Sequence, residues 1–462
     1  MTEVSGLRDK IQQVIEAAIA AEMADHGFHG SCSKGFIGPG NASEADPLPP
    51  NVWVSYPTGR VAHEIAHDRP THHEPVAPAV EIFDKWRREI PQNFDRFNHV
   101  PDPDGFKGAL DTLAGIANGL AAGGATLTGS GKNAQVAAGN IDLTNLVSDL
   151  QKEVATYNGR AMEALDDSYI SRLDEVLGGQ HVLASLLGVM VAGEQQIWTD
   201  IRSQLLVVAE NARRAFQAHA DGGTNPVSPI KIATSLSTVL GLFTVHPAFK
   251  IGSVAVSLLS TWLTPPTPPA PLTSGGANVN EIHGKLVFAL SELASGITLQ
   301  ENALADCAQR GIWRIDHEPA YYDLSTPSEF LGASRNEYFT GEEGPFLRTE
   351  GLRARAGTVQ KIAGIVNQIS GSLAGTLDRS AWEHNPAIGN GADGCFPAYK
   401  ELHGDLSNLL ARAFRALGEV AERMVLVSHD FDRTEGQIEE DLRRYARQVN
   451  DPSKGQEVPY GY

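Results

Sequence analysis

From Leu402 to Phe431 apolar residues return at alternating steps of four and three: Leu402, Leu406, Leu409, Ala413, Leu417, Val420, Met424, Val427 and Phe431. A backbone that turns once in about 3.6 residues puts all of these on one stripe, which no strand can do. Held over about four heptads, the stripe predicts one long helix, 395–449, packed along its length against another helix. The preceding stretch supplies the partner. Val359, Ile362, Val366, Ile369, Leu373 and Leu377 repeat in the same way over a helix of 349–378. Between them RSAWEHNPAIGNGADG, rich in glycine, is a turn. The two helices therefore form an antiparallel hairpin.

The same periodicity recurs upstream. Leu7, Ile11, Val14 and Ala18 predict a short amphipathic helix within 1–25. Helices are expected over 79–90, 106–127 and from Asp142, with GATLTGSGKNAQVAAGN as a small-residue flexible segment between the last two. A long helical stretch reaches about 218, bent at Gly178-Gly179, and carries Ile197, Ile201, Leu205, Val208, Ala212 and Phe216 on one face. Another helix covers 278–310. The expected fold is mainly α: elongated antiparallel helical hairpins or a bundle, with an irregular N-terminal module. The divisions are 1–78, a His/Pro/Gly-rich module with one short helix and a short strand at NVWVSY; 79–228, a helical hairpin region; 229–275, an apolar segment and proline-rich linker; 276–449, a second hairpin region; and 450–462, a disordered tail.

With 462 residues, 42% of them hydrophobic, the chain can bury real cores. Its net charge of -19 argues against nucleic acid as a partner. Three widely spaced cysteines, Cys32, Cys307 and Cys395, make neither a disulfide framework nor a thiolate zinc cluster. The first helix is charged throughout and is no cleaved signal peptide. Within 229–263, two apolar runs of about a dozen residues flank HPAFK. Each is shorter than the roughly 20 residues a membrane-spanning helix needs. A buried helical hairpin is the preferred reading, and membrane contact through 229–263, as in a helical pore former, is the alternative.

Two turns carry a family resemblance. YNGRAMEAL (157–165) and IGNGADGCF (388–396) resemble the W-x-G-x-A-A-x-A-F helix-turn-helix signature of the WXG family of type VII secretion proteins. In the first, Tyr157 stands for Trp, Gly159 and Ala161 match, Ala164 matches, and Leu165 stands for Phe. In the second, Ala392 and Phe396 match, Ile388 and Asn390 replace Trp and Gly, and Gly389 and Gly391 flank Asn390. Glycine permits a sharp reversal, small alanines let helices approach, and the large apolar residues plug the open end. The resemblance also implies an export signal, an aromatic residue four before an acid; Phe431 and Glu435 have that spacing, with Phe where the family prefers Tyr. It implies a secreted or envelope protein, cytoplasmic before export, that pairs with a helical partner or with itself.

HEIAHDRPTHHE (63–74) contains H-E-x-x-H. On a helix this motif sets two imidazoles one turn apart as zinc ligands, with the glutamate activating metal-bound water. It would assign His63, His67 and His73 as ligands and Glu64 as general base of a metallohydrolase. Pro70 stands where the longer form of the motif has glycine, and PTGR directly precedes it, leaving little room for a helix. Six of the fifteen histidines lie before residue 75, which keeps a structural zinc site open. The preferred expectation is no cofactor and a non-enzymatic protein that works through helix–helix contacts.

Overall fold

The computed structural model describes residues 4–39, 51–63, 72–73, 77–121, 125–128, 135–138, 140–154, 169–223, 276–325 and 349–449. Helices dominate them. In chain order these are α1 (Leu7–Asp25), α2 (Ala77–Phe94), α3 (Lys107–Leu120), α4 (Ile141–Val154), α5 (Leu173–Ala220), α6 (Val279–His317), α7 (Thr349–Leu373) and α8 (Phe396–Val449).

α5 is the centre. From Gln180 to Val191, about three turns, every residue is buried, so this stretch has no solvent-facing side. α1, α3, α6 and α8 all pack against α5. Ile197, Ile201, Leu205, Val208, Ala212 and Phe216, the stripe read from the sequence, are all buried. α5 is long and apolar enough to cross a membrane by composition, yet 83% of its most apolar window is buried within the protein. α5 runs as one helix through Gly178 and Gly179, where a bend is expected from the sequence. Gly179 serves close approach instead: a Cβ there would lie 2.1 Å from the Tyr321 carbonyl oxygen. Beside it the Gln180 side-chain amide donates to the Tyr322 carbonyl at 3.0 Å, and Arg172 donates to the Ala320 carbonyl at 2.9 Å.

α7 and α8 form the expected hairpin. Val359, Ile362, Val366, Ile369 and Leu373 face Leu402, Leu406, Leu409, Ala413, Leu417, Val420 and Met424 across a buried seam. Leu377 departs from the pattern. α7 ends at Leu373, a short 3-10 turn follows, and Leu377 is left exposed. At the open end Arg353 donates to Ser428 at 3.2 Å.

Two regions differ from the sequence expectation. Where an irregular module is expected, a five-stranded antiparallel sheet runs in chain order: β1 (His29–Ser31), β2 (Gly35–Pro39), β3 (Asn51–Val54), β4 (Val61–His63) and β5 (His72–His73). Phe36, Val52 and Val54 are buried while Ile37 and Trp53 are exposed, the period-two alternation of a one-sided sheet. The strands are too short for that period to stand out among the glycines and prolines. Phe36 and Tyr56 pack on Phe83 of α2, and Trp86 of α2 packs on Phe216 of α5, which ties the sheet to the bundle. Further on, α3 stops at Leu120 rather than 127. Ala125–Thr128 (β6) pairs with Gln135–Ala138 (β7) as a two-stranded ribbon in what reads as a flexible segment. The apolar segment 229–263, GSGK (129–132), the tail 450–462 and the turn 157–165 lie outside the described residues.

The seam makes a graded prediction. Leu406→Ala, at a fully buried position, should lower unfolding stability by about 2–5 kcal/mol. Leu426→Ala, 63% exposed on the same helix, should stay within about 0.5 kcal/mol. Denaturant unfolding of both variants beside the parent chain reads the difference.

Candidate functional site at the hairpin turn

The α7–α8 turn is held from both helices. The last carbonyls of α7 have no partners within the helix. Two α8 side chains reach this end: His403 Nε2 lies 2.9 Å from the Leu373 carbonyl, and the Tyr399 hydroxyl donates at 3.0 Å to the carbonyl of Thr376 in the 3-10 turn that follows. Asp378 accepts from the Ser380 amide at 2.9 Å and starts the descent. Trp382 then fills the end of the hairpin, with ring centroids 5.4 Å from Phe106, 5.6 Å from Phe396 and 5.0 Å from Tyr399. Phe396 and Ile388 are also buried. Ala392 is not between the helices. It is exposed, and its role is through its backbone carbonyl, which accepts from the His384 amide at 2.9 Å.

Gly389, Gly391 and Gly394 have φ of 70°, 82° and 56°. Left-handed backbone of this kind is costly for other residues. At Gly389 space matters as well, because a Cβ would meet Glu301 Oε2 at 2.6 Å and His384 Cε1 at 2.8 Å. At Gly391 a Cβ would meet nothing within 4 Å. The loop closes over the middle of α6: the Asn390 amide donates to Glu301 Oε2, Thr298 Oγ1 donates to the Gly389 carbonyl at 3.1 Å, and the Asn390 side chain donates to Asn302 Oδ1 at 3.0 Å.

Beneath this loop lie Glu194 of α5, Glu301 of α6, His384 of the turn and Cys395 at the mouth of α8, all buried. They form two couples. His384 Nε2 is 3.1 Å from Glu301 Oε1, close enough for an ion pair but not aligned as a hydrogen bond. His384 Nδ1 faces the Asn385 carbonyl at 3.1 Å. Cys395 Sγ donates to Glu194 Oε1 at 3.1 Å, and Trp198 Nε1 donates to Glu194 Oε2 at 2.9 Å. Gly394 lies between the couples, since a Cβ there would be 2.8 Å from Glu301 Oε1 and 3.2 Å from Glu194 Oε1.

Two carboxyl groups this deep cannot both ionise cheaply. Burial, then the charge of Glu301, push Glu194 up to about 8, against a weaker pull from Cys395 and His384. Burial also drives the Cys395 thiol well above its usual range, with Glu194 and Glu301 adding to it. Burial alone would lower His384; its pairing with Glu301, the Asn385 carbonyl and Glu194 outweigh that and raise it. Both shifts favour holding a proton, on Glu194 beside the Cys395 thiol and on His384 beside Glu301. Closed off from solvent, these groups can hold protons and fix the turn onto α5 and α6. Among the described residues no group of three or more His, Cys, Asp or Glu is arranged to hold a metal ion.

The histidine stretch lies elsewhere. His63 is the last residue of β4 and pairs with Val52; His73 is in β5 and pairs with Val61. The helix that H-E-x-x-H needs therefore does not begin at His63, because strand pairing claims that backbone. Glu64 and His67 lie outside the described residues, as do Tyr157, Gly159, Ala161 and Leu165. Phe431 and Glu435 both lie on α8.

The buried cluster was not singled out from sequence, though a signal exists. Glu194 falls in the α5 stripe between Met190 and Ile197, and Glu301 falls in the α6 stripe between Ile297 and Leu304. An acid on an apolar stripe has to find a partner in the core. No family model, curated protein or solved structure matches the chain.

Gly389→Ala should cost at least about 3 kcal/mol of stability, from left-handed strain plus displacement of Glu301. Gly391→Ala should cost about 1–2 kcal/mol, from strain alone. Parallel urea titrations compare them.

Proposed function

We propose that the chain is a non-enzymatic helical protein of a type VII-like secretion system, exported by it and acting through helix–helix contacts. What carries the reading is α8. It runs continuously from Phe396 to Val449, and Arg353 near the start of α7 already meets Ser428. Roughly the last 25 Å of α8, at about 1.5 Å per residue, therefore extends past the start of α7 at Thr349. Phe431 lies level with that start and Glu435 just beyond it, four residues apart and so on one face of the helix. An aromatic residue and an acid one turn apart beyond a glycine-turned hairpin is the arrangement that the family resemblance implies for recognition by the export machinery. Trp382, Phe396 and Ile388 closing the hairpin end add to the likeness. The exposed Leu426, just before the extension, gives a helical partner or a second copy an apolar contact.

The test is export. The chain is expressed in a bacterium with an active type VII system, and its amount in the medium and in the cells is compared with a Phe431→Ala/Glu435→Ala variant. Medium levels of the variant should drop at least about tenfold, the loss expected for removing a recognition hot spot, with cell levels and melting temperature unchanged. Equal export of both chains, or retention of both in the cells, would overturn the reading.

A further inference from the structure

The Glu194–Cys395 and Glu301–His384 couples tie three helices to one turn through groups that can all change charge. Glu301 is gripped from the turn side by the Asn390 amide and His384, and Glu194 is gripped from the α8 side by the Cys395 thiol. We infer that this cluster is a proton-operated latch, which holds the hairpin turn on α5 and α6 when protonated and releases it in alkaline solution. The inference does not depend on the secretion reading.

Glu194 Oε2 is occupied by the Trp198 indole N–H, and Oε1 faces the thiol. A protonated Glu194 completes this set without adding charge. An ionised one puts a second anion near Glu301, with Gly394 backbone between them. Among the described residues no lysine or arginine forms an ion pair with Glu194. His384 is paired to Glu301. On the turn, Arg379 is taken by Asp393 at 2.9 Å and lies 3.7 Å from Glu383. On the segment before α3, Lys107 is taken by Asp104 at 2.8 Å. The repulsion therefore relaxes by moving the turn, which carries His384 and Asn390, away from Glu301.

Both titrations act with one sign. Glu194 holds its proton up to about 8 in the folded chain against 4.5 in an ordinary carboxyl group, so the folded state binds more protons between those values. Stability conferred by the cluster thus falls as pH rises across that window. His384 is raised as well; its contribution is full below its ordinary value of 6.5 and is lost as pH rises through its folded value.

The experiment is hydrogen–deuterium exchange of the full chain at several pH values from ~6 to ~9, corrected for the intrinsic pH dependence of amide exchange, beside Glu194→Gln. The glutamine keeps an acceptor for Trp198 and offers an N–H to the Cys395 sulfur, so it mimics the protonated acid without titrating. Protection of the amides in 388–396 should fall about tenfold per pH unit from ~6 up to about 8 in the parent chain, since opening releases one proton across that window, and should level off above it. It should stay level in the variant, and α1 should remain protected in both. A flat profile in the parent chain would overturn the latch, whether or not the variant folds. So would the same fall in both chains, or a fall in α1 that parallels the turn.

Discussion

A helix surrounded on every side must carry whatever polar groups it has into the core. α5 is that helix from Gln180 to Val191, and other parts of the structure answer several of its polar groups. Gln180 is met by the Tyr322 carbonyl, His181 by the Ala117 carbonyl at 2.7 Å, and Glu194 by Trp198 and Cys395. Each partner comes from a different part of the chain or a different turn of α5. The buried polar set thereby specifies register in a core that apolar packing alone would fix less sharply. At the surface the same helix is tied by Glu210, which gathers Lys10 of α1 together with Arg213 and Arg214, and their hydrogen bonds hold its carboxyl well below the usual range.

The hairpin turn is where this constraint becomes specific. A glycine-bearing reversal between two helices needs only a few permissive residues. This one is also anchored underneath by two acids, an imidazole and a thiol, and its glycines let backbone come within contact of Glu301. The aromatic plug of Trp382, Phe396 and Tyr399 seals the same end. A turn held by apolar packing alone would be indifferent to pH. One held through a buried carboxyl pair is not, because the proton that keeps Glu194 neutral belongs to the fold.

Much of the architecture is legible in the sequence, because long helices announce themselves by period. The α8 stripe from Leu402 to Met424, its α7 partner from Val359 to Leu373 and the α5 stripe are buried where periodicity places them. Leu377 fails because α7 ends a turn earlier, where His403 reaches the Leu373 carbonyl. The sheet is harder to read, since two to five residues per strand give too few alternations, and its glycines and prolines look like loop. At the H-E-x-x-H stretch the motif specifies residue types, while the backbone at His63 is paired as a strand rather than starting a helix. The cluster was hidden for a third reason. Glu194, Glu301, His384 and Cys395 are scattered over about 200 positions of chain, and only the packing of α5, α6 and α8 brings them together.

The central claim is that Glu194 is a neutral acid inside the protein at neutral pH. Infrared spectroscopy in heavy water tests it directly, because a protonated carboxyl group has a carbonyl stretching band distinct from that of a carboxylate. At neutral pH the chain should show this band, and Glu194→Gln should lack it. A spectrum without it, or one in which the band survives the substitution, would contradict the account.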